Sequence, residues 1–168
     1  MRKKLIFVNG TMGVGKSTTC QWLLKMLSPS VYLDGDWCWM MNPFIVSEEN
    51  KQMVLGNITH LLTSYLEHSA YEYIIFCWVM HEESIVNAVL APLSGFDFIL
   101  HQFTLTCSED ALKARLLKDV KEQLRAGDII DQSLQRLCLY DRMDTTKIDV
   151  TDKNAKQAAD EICKIVLK

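Results

Sequence analysis

Eight consecutive residues near the start of the chain match a pattern that binds phosphate groups. The pattern G-x-x-x-x-G-K-[ST] is matched in full by Gly10-Thr11-Met12-Gly13-Val14-Gly15-Lys16-Ser17. Glycines allow successive backbone N–H groups to point inward onto an anion, and the helix that follows adds its positive N-terminal end. In such a loop Lys16 reaches the β- and γ-phosphates, and the Ser17 hydroxyl binds Mg²⁺. We therefore expect residues 10–18, Thr18 included, to bind a nucleoside triphosphate.

Two carboxylates follow the second predicted strand, in the run Asp34-Gly35-Asp36. Side chains at i and i+2 of an extended segment point the same way, so both can face the phosphate loop from the neighbouring strand. Phosphoryl transfer to an alcohol needs one carboxylate near Mg²⁺ and one that orients or deprotonates the acceptor hydroxyl. An ordinary Asp-Gly turn is the alternative interpretation. Beside a complete phosphate loop, the pair favours catalysis.

A cluster of basic side chains lies on and just after the fourth predicted helix. Its members are Arg115, Lys118, Lys121 and Arg125. The helical pattern is interrupted near Gly127, so a positively charged lid of about residues 116–133 could close over the transferring phosphoryl group and exclude water. We expect Arg125 to be the catalytic residue of this lid. The spacing of these residues fits a solvent-exposed helix face as well.

The distribution of arginine bears on the acceptor, because no arginine lies between Arg2 and Arg115. Kinases of nucleoside monophosphates must bind a second phosphate, and the forked guanidinium of arginine is suited to that contact. The region of about residues 35–70 offers tryptophan, methionine and phenylalanine instead. Such a surface suits a neutral, partly apolar hydroxyl compound better than a phosphate or a carboxylate.

Aromatic side chains beside the acidic pair are candidates for the wall of a substrate site. Trp37 and Trp39 lie in the predicted loop or single turn that contains Asp36. Trp78 falls on a strand that we expect to be buried on both faces, which favours a place in the core. His81 follows that strand at its C-terminal end, where ligands bind in open α/β sheets. It is a candidate for substrate contact, although a lone histidine is more often structural.

Strand-like and helix-like patterns alternate along the whole chain. The predicted strands are residues 4–9, 31–34, 73–80, 98–107 and 147–150. Helical stripes fall between them, and a break at residues 125–131 separates the helix at 109–124 from one at 132–141. This alternation predicts a parallel sheet covered on both faces, and hence one α/β domain over residues 1–168.

Composition excludes several classes of protein. The 168 residues are 49% hydrophobic and 23% charged, which is typical of a globular protein and excludes disorder. Apolar runs such as residues 74–80 are far shorter than the ~20 residues of a membrane span, and no signal-peptide core follows Met1, so we expect a cytoplasmic protein. The net charge of −3 argues against broad nucleic-acid binding. The six cysteines form no C-x-x-C pair, and we expect buried free thiols.

Three stretches carry a resemblance to a known family. The loop GTMGVGKST, the DGD motif and the run FTLTCSEDALKARL resemble small-molecule kinases of the P-loop superfamily. Within that group the HQFTL…S…L…RL pattern is most similar to tunicamycin-resistance-type proteins, and the D-x-D resembles shikimate and gluconate kinases more distantly. The resemblance implies a three-layer α/β/α P-loop NTPase fold with a five-stranded parallel sheet in the order 2-3-1-4-5.

The same resemblance implies roles for single residues. Asp34 would assist Mg²⁺ beside Ser17, Asp36 would act as the base, and Arg115 would lie against the adenine. The segment after Arg115 would be the lid. One departure is that the third strand, in the run YIIFCWVMHEES, ends without the usual Mg²⁺-associated aspartate.

These features together predict a kinase that moves the γ-phosphoryl group of ATP, with Mg²⁺, to a hydroxyl of a small, non-phosphorylated molecule. We expect a monomer or homodimer. A shikimate- or gluconate-type metabolite kinase is one alternative, and a nucleotide-dependent binding protein that sequesters an antibiotic with little turnover is another. A switch GTPase is a third, because Thr146-Lys147-Ile148-Asp149 approximates the guanine-binding N-K-x-D. No D-x-x-G follows the third strand, however, and this absence disfavours a γ-phosphate switch.

Overall fold

The computed structural model describes residues 2–123 and 129–168. These residues form five strands: β1 (Lys3–Asn9), β2 (Ser30–Asp34), β3 (Tyr73–Cys77), β4 (Phe98–Thr106) and β5 (Thr146–Asp149). All neighbouring strands pair in parallel, in the order β2-β3-β1-β4-β5. The fold class and the strand order expected from the sequence are therefore confirmed.

Helices connect the strands and cover both faces of the sheet. The described α-helices are α1 (Lys16–Met26), α2 (Glu48–Glu67), α3 (Glu83–Leu90), α4 (Glu109–Lys121), α5 (Ile129–Asp141) and α6 (Ala155–Val166). A short 3₁₀ helix, Gly35–Trp39, follows β2 directly. Side-chain caps fix several helix starts: Ser47 accepts a hydrogen bond from the Asn50 N–H at 3.1 Å, and Asn154 forms a capping box with Gln157.

Two apolar cores lie on opposite faces of the sheet, because successive side chains of a strand point to opposite sides. Along β1, Ile6 and Val8 pack on the side of α1, α4 and α6, whereas Leu5 and Phe7 pack on the side of α2 and α3. All four are at most 1% exposed. Burial of each such side chain stabilises the fold by about 1.5–3 kcal/mol, so β1 holds the two layers together.

The third strand is shorter than the sequence suggests. It was expected over residues 73–80, but β3 ends at Cys77, where its partner β2 ends at Asp34. Beyond that point the side chain of Asn9 replaces strand pairing: Asn9 Oδ1 accepts from the Met80 N–H at 2.9 Å, and Nδ2 donates to the Met80 carbonyl at 2.6 Å. The residues after Cys77 thus leave the sheet at the edge where the strand C-termini meet.

Two further expectations need correction. The predicted break at residues 125–131 is too long, because α5 already contains Ile129 through Asp131. The cysteines are not all buried: Cys20, Cys77, Cys107 and Cys163 are, Cys38 is half-buried, and Cys138 is exposed on α5. No helix in the described part of the chain is long and apolar enough to cross a membrane.

Candidate active site

The phosphate loop connects β1 to α1 in a conformation that requires glycine. Gly10 and Gly13 have φ angles of 142° and 80°, which L side chains rarely adopt. The surroundings are also closed: a Cβ on Gly10 would lie 2.8 Å from the Leu105 carbonyl oxygen, and one on Gly13 would lie 2.4 Å from Leu116 Cδ2. The loop is therefore pressed against β4 and α4, with its backbone bent as an anion-binding loop needs.

Lys16 begins α1 and is aimed back into the loop. Its side chain is buried, and Nζ donates to the Thr11 carbonyl oxygen at 2.9 Å. This bond spans the loop, so the ammonium group lies on the concave side expected to receive phosphate. The amide groups of the first turn of α1 add the positive end of the helix at the same place.

Two polar side chains hold the loop in place: Asn9, which the sequence analysis did not single out, and Thr11, which it assigned to nucleotide binding. Asn9 Oδ1 accepts from the Gly10 N–H at 2.8 Å, in addition to its bonds to Met80. Thr11 is fully buried, and its Oγ1 donates to the Ser133 carbonyl of α5 at 2.9 Å. A polar residue such as Asn9 at the end of a buried strand was a signal for the first contact. The neighbouring residues gave no signal for the contact between Thr11 and Ser133.

Asp34 lies directly beside the start of α1. Ser17 Oγ donates to Asp34 Oδ2 at 2.6 Å, and Tyr32 OH donates to the same oxygen at 2.9 Å. The Asp36 N–H donates to Oδ1 at 3.1 Å. These three donors compensate for the burial of a carboxylate that is only 6% exposed.

The route by which Asp34 reaches the loop differs from the expected one. β2 is not the neighbour of β1, since β3 lies between them. Contact arises because α1 packs across the sheet over β1, β3 and β2, which brings Ser17 to the end of β2. The chain is also not extended through Asp36: Asp34 caps the 3₁₀ helix that Gly35 begins.

Tyr32 is a further member of this group that the sequence analysis missed. It lies two residues before Asp34 on β2, so both side chains point to the same face of the sheet. Its hydroxyl is also 3.2 Å from Cys77 Sγ. Burial raises the pKa of Tyr32 far above its usual value, with the neighbouring thiols of Cys77 and Cys20 adding to the effect. The phenol therefore stays protonated and remains a hydrogen-bond donor to Asp34.

Ser17 and Asp34 form an oxygen-rich pair that fits Mg²⁺. A hydroxyl and a carboxylate are hard oxygen ligands, and Mg²⁺ in nucleotide sites uses one or two protein ligands together with phosphates and water. The end of β3 adds no carboxylate, because Cys77 is followed by Trp78, Val79 and Met80. Among the described residues next to the loop, Ser17 and Asp34 are therefore the side chains that could hold Mg²⁺.

The 3₁₀ helix separates the residues expected to contact substrate. Side chains at i and i+3 of a 3₁₀ helix eclipse, so Asp36 and Trp39 share a face and Trp37 does not. Trp39 lines a cavity of about 780 Å³, defined here as the Trp39–Trp78 cavity. Trp37 is 54% exposed, packs edge-on against Tyr32, and lines a different depression together with Met40 and Met53.

The Trp39–Trp78 cavity lies between the 3₁₀ helix, α2, α3, α5 and the segment after β3. Its walls include Trp39, Leu55, Trp78, His81, Ile85 and Arg136. The structure therefore places Trp39 and His81, both predicted to contact substrate, in the lining of one cavity. Trp78, which was expected in the core, packs against the core on the side of α2 and α3 and against Gly35, but it is half-buried and also lines the cavity.

His81 and Arg136 form the polar end of the cavity. Burial lowers the pKa of His81, and the nearby positive charge of Arg136 lowers it further, while Glu82 opposes the shift. The imidazole is therefore neutral near pH 7. Its Nδ1 is buried, and among the described residues it has no hydrogen-bond partner. Arg136 was not singled out from the sequence, because its α5 position follows the predicted lid.

Arg115 lies on the other side of the phosphate loop. Its guanidinium donates to the carbonyls of Val14 and Thr151, each at 3.3 Å, and to that of Val150. It lines a cleft of about 190 Å³ together with Gly15, Thr18 and Asn154. This cleft is open at the back of the loop, where the nucleotide base is expected.

The structure describes only some of the residues predicted to form the lid. Lys118 and Lys121 are exposed on α4, and Lys118 Nζ is 3.9 Å from Glu122 Oε1. Arg125, the residue expected to act in catalysis, lies outside the described residues. The part of the predicted lid that is described therefore consists of the end of α4 and the beginning of α5.

Comparisons with known proteins agree with the fold of this chain. A family model described as an AAA domain matches residues 6–136, whereas no curated protein matches the chain. A gluconokinase from Sinorhizobium meliloti 1021 superposes with a TM-score of 0.70 at 16% identity, covering 99% of this chain and 96% of that one. A tunicamycin resistance protein from Deinococcus radiodurans superposes with a TM-score of 0.68 at 17% identity, covering 98% of this chain and 96% of that one. A shikimate kinase from Acinetobacter baumannii superposes with a TM-score of 0.65 at 17% identity, covering 98% of this chain and 93% of that one. At such identities the likeness shows a shared kinase-like P-loop fold.

Proposed function

Because this chain belongs to the AAA domain family and has a kinase-like P-loop fold, we propose that it is an ATP-dependent phosphotransferase. The acceptor is a hydroxyl group of a small molecule. The observation that carries the proposal is the 2.6 Å bond from Ser17 Oγ to Asp34 Oδ2, which joins the phosphate loop to the acidic pair. Trp39, which shares a face of the 3₁₀ helix with Asp36, lines the Trp39–Trp78 cavity.

In this proposal, residues 10–18 hold the triphosphate through backbone N–H groups, and Lys16 contacts the β- and γ-phosphates. Ser17 and Asp34 hold Mg²⁺, which neutralises charge on the phosphate oxygens when it is bound. Arg115 lies beside the base. Arg125 is proposed to reach the phosphoryl group from the lid.

The exposed Asp36 carboxylate acts on the acceptor. It orients the acceptor hydroxyl and accepts its proton as the oxygen attacks the γ-phosphorus. A new oxygen–phosphorus bond forms, the bond from the γ-phosphorus to the bridging oxygen breaks, and ADP leaves with the electron pair. Trp39 and His81 position the acceptor in the Trp39–Trp78 cavity. Trp37 was expected to do the same and is proposed instead to support Tyr32, on which it packs.

ATP is favoured over GTP by the structure of the segment that resembles a guanine-binding motif. Residues Thr146–Asp149 form strand β5, as expected. Lys147 Nζ donates to the carbonyls of Tyr140 and Met143 at 2.7 and 2.6 Å, and Asp149 Oδ1 accepts from the Thr151 N–H at 2.9 Å. Both side chains thus stabilise the fold of their own segment, and neither is among the residues that line the cleft beside Arg115.

The test is a screen of hydroxyl compounds for acceptor-dependent conversion of ATP to ADP, with the phosphorylated product identified by ³¹P NMR. Sugars, nucleosides and hydroxyl-bearing antibiotics are screened with ATP and with GTP. Binding of each compound is measured separately by calorimetry. We expect product with at least one compound, and none with Lys16→Ala, since the loop then lacks its cation. Binding without any phosphorylated product would instead support a nucleotide-dependent binding protein.

A further inference from the structure

Arg136 presents a positive charge to the Trp39–Trp78 cavity without a counterion. The residue lies on α5, is half-buried, and lines the cavity beside His81. Within residues 2–123 and 129–168, no carboxylate forms an ion pair with it and no acceptor forms a hydrogen bond with it. A half-buried cation that lacks a partner is unfavourable, and an anion on a bound ligand would relieve that cost.

The other charged groups at the cavity are engaged elsewhere. Lys51 Nζ is 2.7 Å from Glu48 Oε1, so these two exposed side chains neutralise each other. Glu82 accepts from Ser84 Oγ at 3.2 Å, and its other oxygen lies 3.7 Å from His81 Nε2. Among the described cavity residues Arg136 is therefore the cation without a carboxylate partner, while Glu82 keeps its negative charge beside the neutral His81.

Apolar and aromatic side chains form much of the remaining wall of the cavity. Trp39, Trp78, Leu55 and Ile85 form walls that favour a flat, hydrophobic body over a polyhydroxylated one. A volume of about 780 Å³ falls in the range of sites for small organic ligands. Trp39 shares a face of its 3₁₀ helix with Asp36, so a ring that packs on Trp39 can direct a hydroxyl toward the proposed base.

We propose that the acceptor is an aromatic molecule that carries an anionic group, with its ring against Trp39 and Trp78 and its anion on Arg136. This inference rests on the phosphotransferase function proposed above, and it names the class of acceptor. It differs from the neutral acceptor expected from the sequence, because the cation comes from α5, far beyond the region in which arginine is absent.

The test measures binding rather than turnover. Dissociation constants are determined by ligand-observed NMR for three probes, with and without ADP: 4-hydroxyphenylacetate, its neutral amide, and 4-hydroxycyclohexylacetate. We expect the aromatic acid to bind about tenfold more tightly than the amide and several-fold more tightly than the aliphatic acid. Arg136→Gln should abolish the preference for acid over amide, Arg136→Lys should keep part of it, and Trp39→Leu should reduce the preference for the aromatic ring. Arg142→Gln, an exposed arginine outside the cavity, is the matched control and should change nothing.

Several outcomes would overturn the inference. Equal binding of acid and amide, or an acid preference that survives Arg136→Gln, would contradict the role of Arg136. The absence of binding by all three probes would contradict the class of ligand. Loss of acid binding in the presence of ADP would show that Arg136 contacts the nucleotide instead. The phosphotransferase proposal fails separately. If aromatic acids bind through Arg136 but no screened compound is phosphorylated, the ligand class stands and the reaction does not. If only neutral compounds are phosphorylated, the reaction stands and the ligand class does not.

Discussion

Asp34 and Asp36 are two residues apart but lie in different environments. Asp34 is buried and accepts hydrogen bonds from Ser17, Tyr32 and the backbone of Asp36. Asp36 is exposed on the first turn of the 3₁₀ helix. A fixed carboxylate suits metal binding, whereas an accessible one suits contact with an acceptor, so we assign the two roles accordingly.

Replacement of Asp36 by asparagine tests the assignment of the base. Asp36→Asn keeps the size of the side chain but removes its ability to accept a proton. We expect ATP affinity near that of the original protein and a fall in kcat of about 10²–10⁴-fold, the usual contribution of a general base. Calorimetry gives the affinity, and the rate of product formation gives kcat. Asp97→Asn, at the N-terminal end of β4 and far from the candidate site, is the control. An unchanged kcat in Asp36→Asn would show that Asp36 is not the base.

Tyr32 is a positioning residue for Asp34, and its hydroxyl can be removed alone. Tyr32→Phe should weaken Mg²⁺ binding in the presence of ATP by roughly tenfold, since loss of an outer-shell hydrogen bond commonly has an effect of that size. ATP binding without Mg²⁺ should not change. Both are measured by titration calorimetry at varied Mg²⁺. Tyr73→Phe, at the far end of β3, is the matched control. Equal weakening with and without Mg²⁺ would show general damage and not a role in positioning.

At the scale of elements, the 3₁₀ helix after β2 determines which of its aromatic residues line the Trp39–Trp78 cavity. Its period of three residues places Trp39 with Asp36 and turns Trp37 toward Tyr32. From the sequence, the segment was expected to be a loop or a single turn, and both tryptophans were therefore assigned to one wall. Propensity does not distinguish a 3₁₀ turn from a loop at this length, and so the separation could not be predicted.

The contact between the phosphate loop and α4 can be tested by adding one methyl group. Gly13→Ala places a Cβ 2.4 Å from Leu116 Cδ2 at a φ of 80°. We expect a loss of stability of about 2 kcal/mol, of which the left-handed backbone alone costs about 1–2 kcal/mol. Urea unfolding measures the change.

The same substitution elsewhere should have the opposite sign. Gly56 is at an exposed position on α2, and a Cβ there meets nothing within 4 Å. Gly56→Ala should therefore stabilise the protein by about 0.5–1 kcal/mol, because alanine favours a helix more than glycine does. Similar effects of the two substitutions would contradict the tight packing of the loop on α4.

At the scale of the whole molecule, the sheet explains which parts of the site could be predicted. The phosphate loop and the Asp34–Asp36 pair are local motifs, and the resemblance to P-loop kinases supplied the strand order. Arg136 joins His81 only because α5 returns across the C-terminal edge of the sheet, and Thr11 meets Ser133 for the same reason. Contacts between residues so far apart in the chain leave no periodic signal in a single sequence.

Two histidines make the stability of the whole molecule depend on pH. Burial lowers the pKa of His81 and of His101 below the usual 6.5, and the charges of Arg136 and Lys4 respectively add to this. When the pH falls through 6.5, the unfolded chain takes up protons that the folded chain does not, so the free energy of unfolding decreases.

This prediction is checked by urea unfolding at pH 7.5 and pH 5.5. The original protein should lose more stability between the two than a variant with both His81→Gln and His101→Gln. His60→Gln, at an exposed position on α2, should behave like the original protein. An equal loss in the double variant would show that other groups cause the pH dependence.

The hydrogen bond from Thr11 to the Ser133 carbonyl has a thermodynamic consequence. It joins the phosphate loop to α5, the helix on which Arg136, one turn later, lines the Trp39–Trp78 cavity. We expect a ligand that shifts this loop to shift α5 through the same bond, so that the proposed nucleotide and the proposed acceptor would be energetically linked. By reciprocity, whatever factor nucleotide occupancy imposes on acceptor affinity, acceptor occupancy imposes on nucleotide affinity.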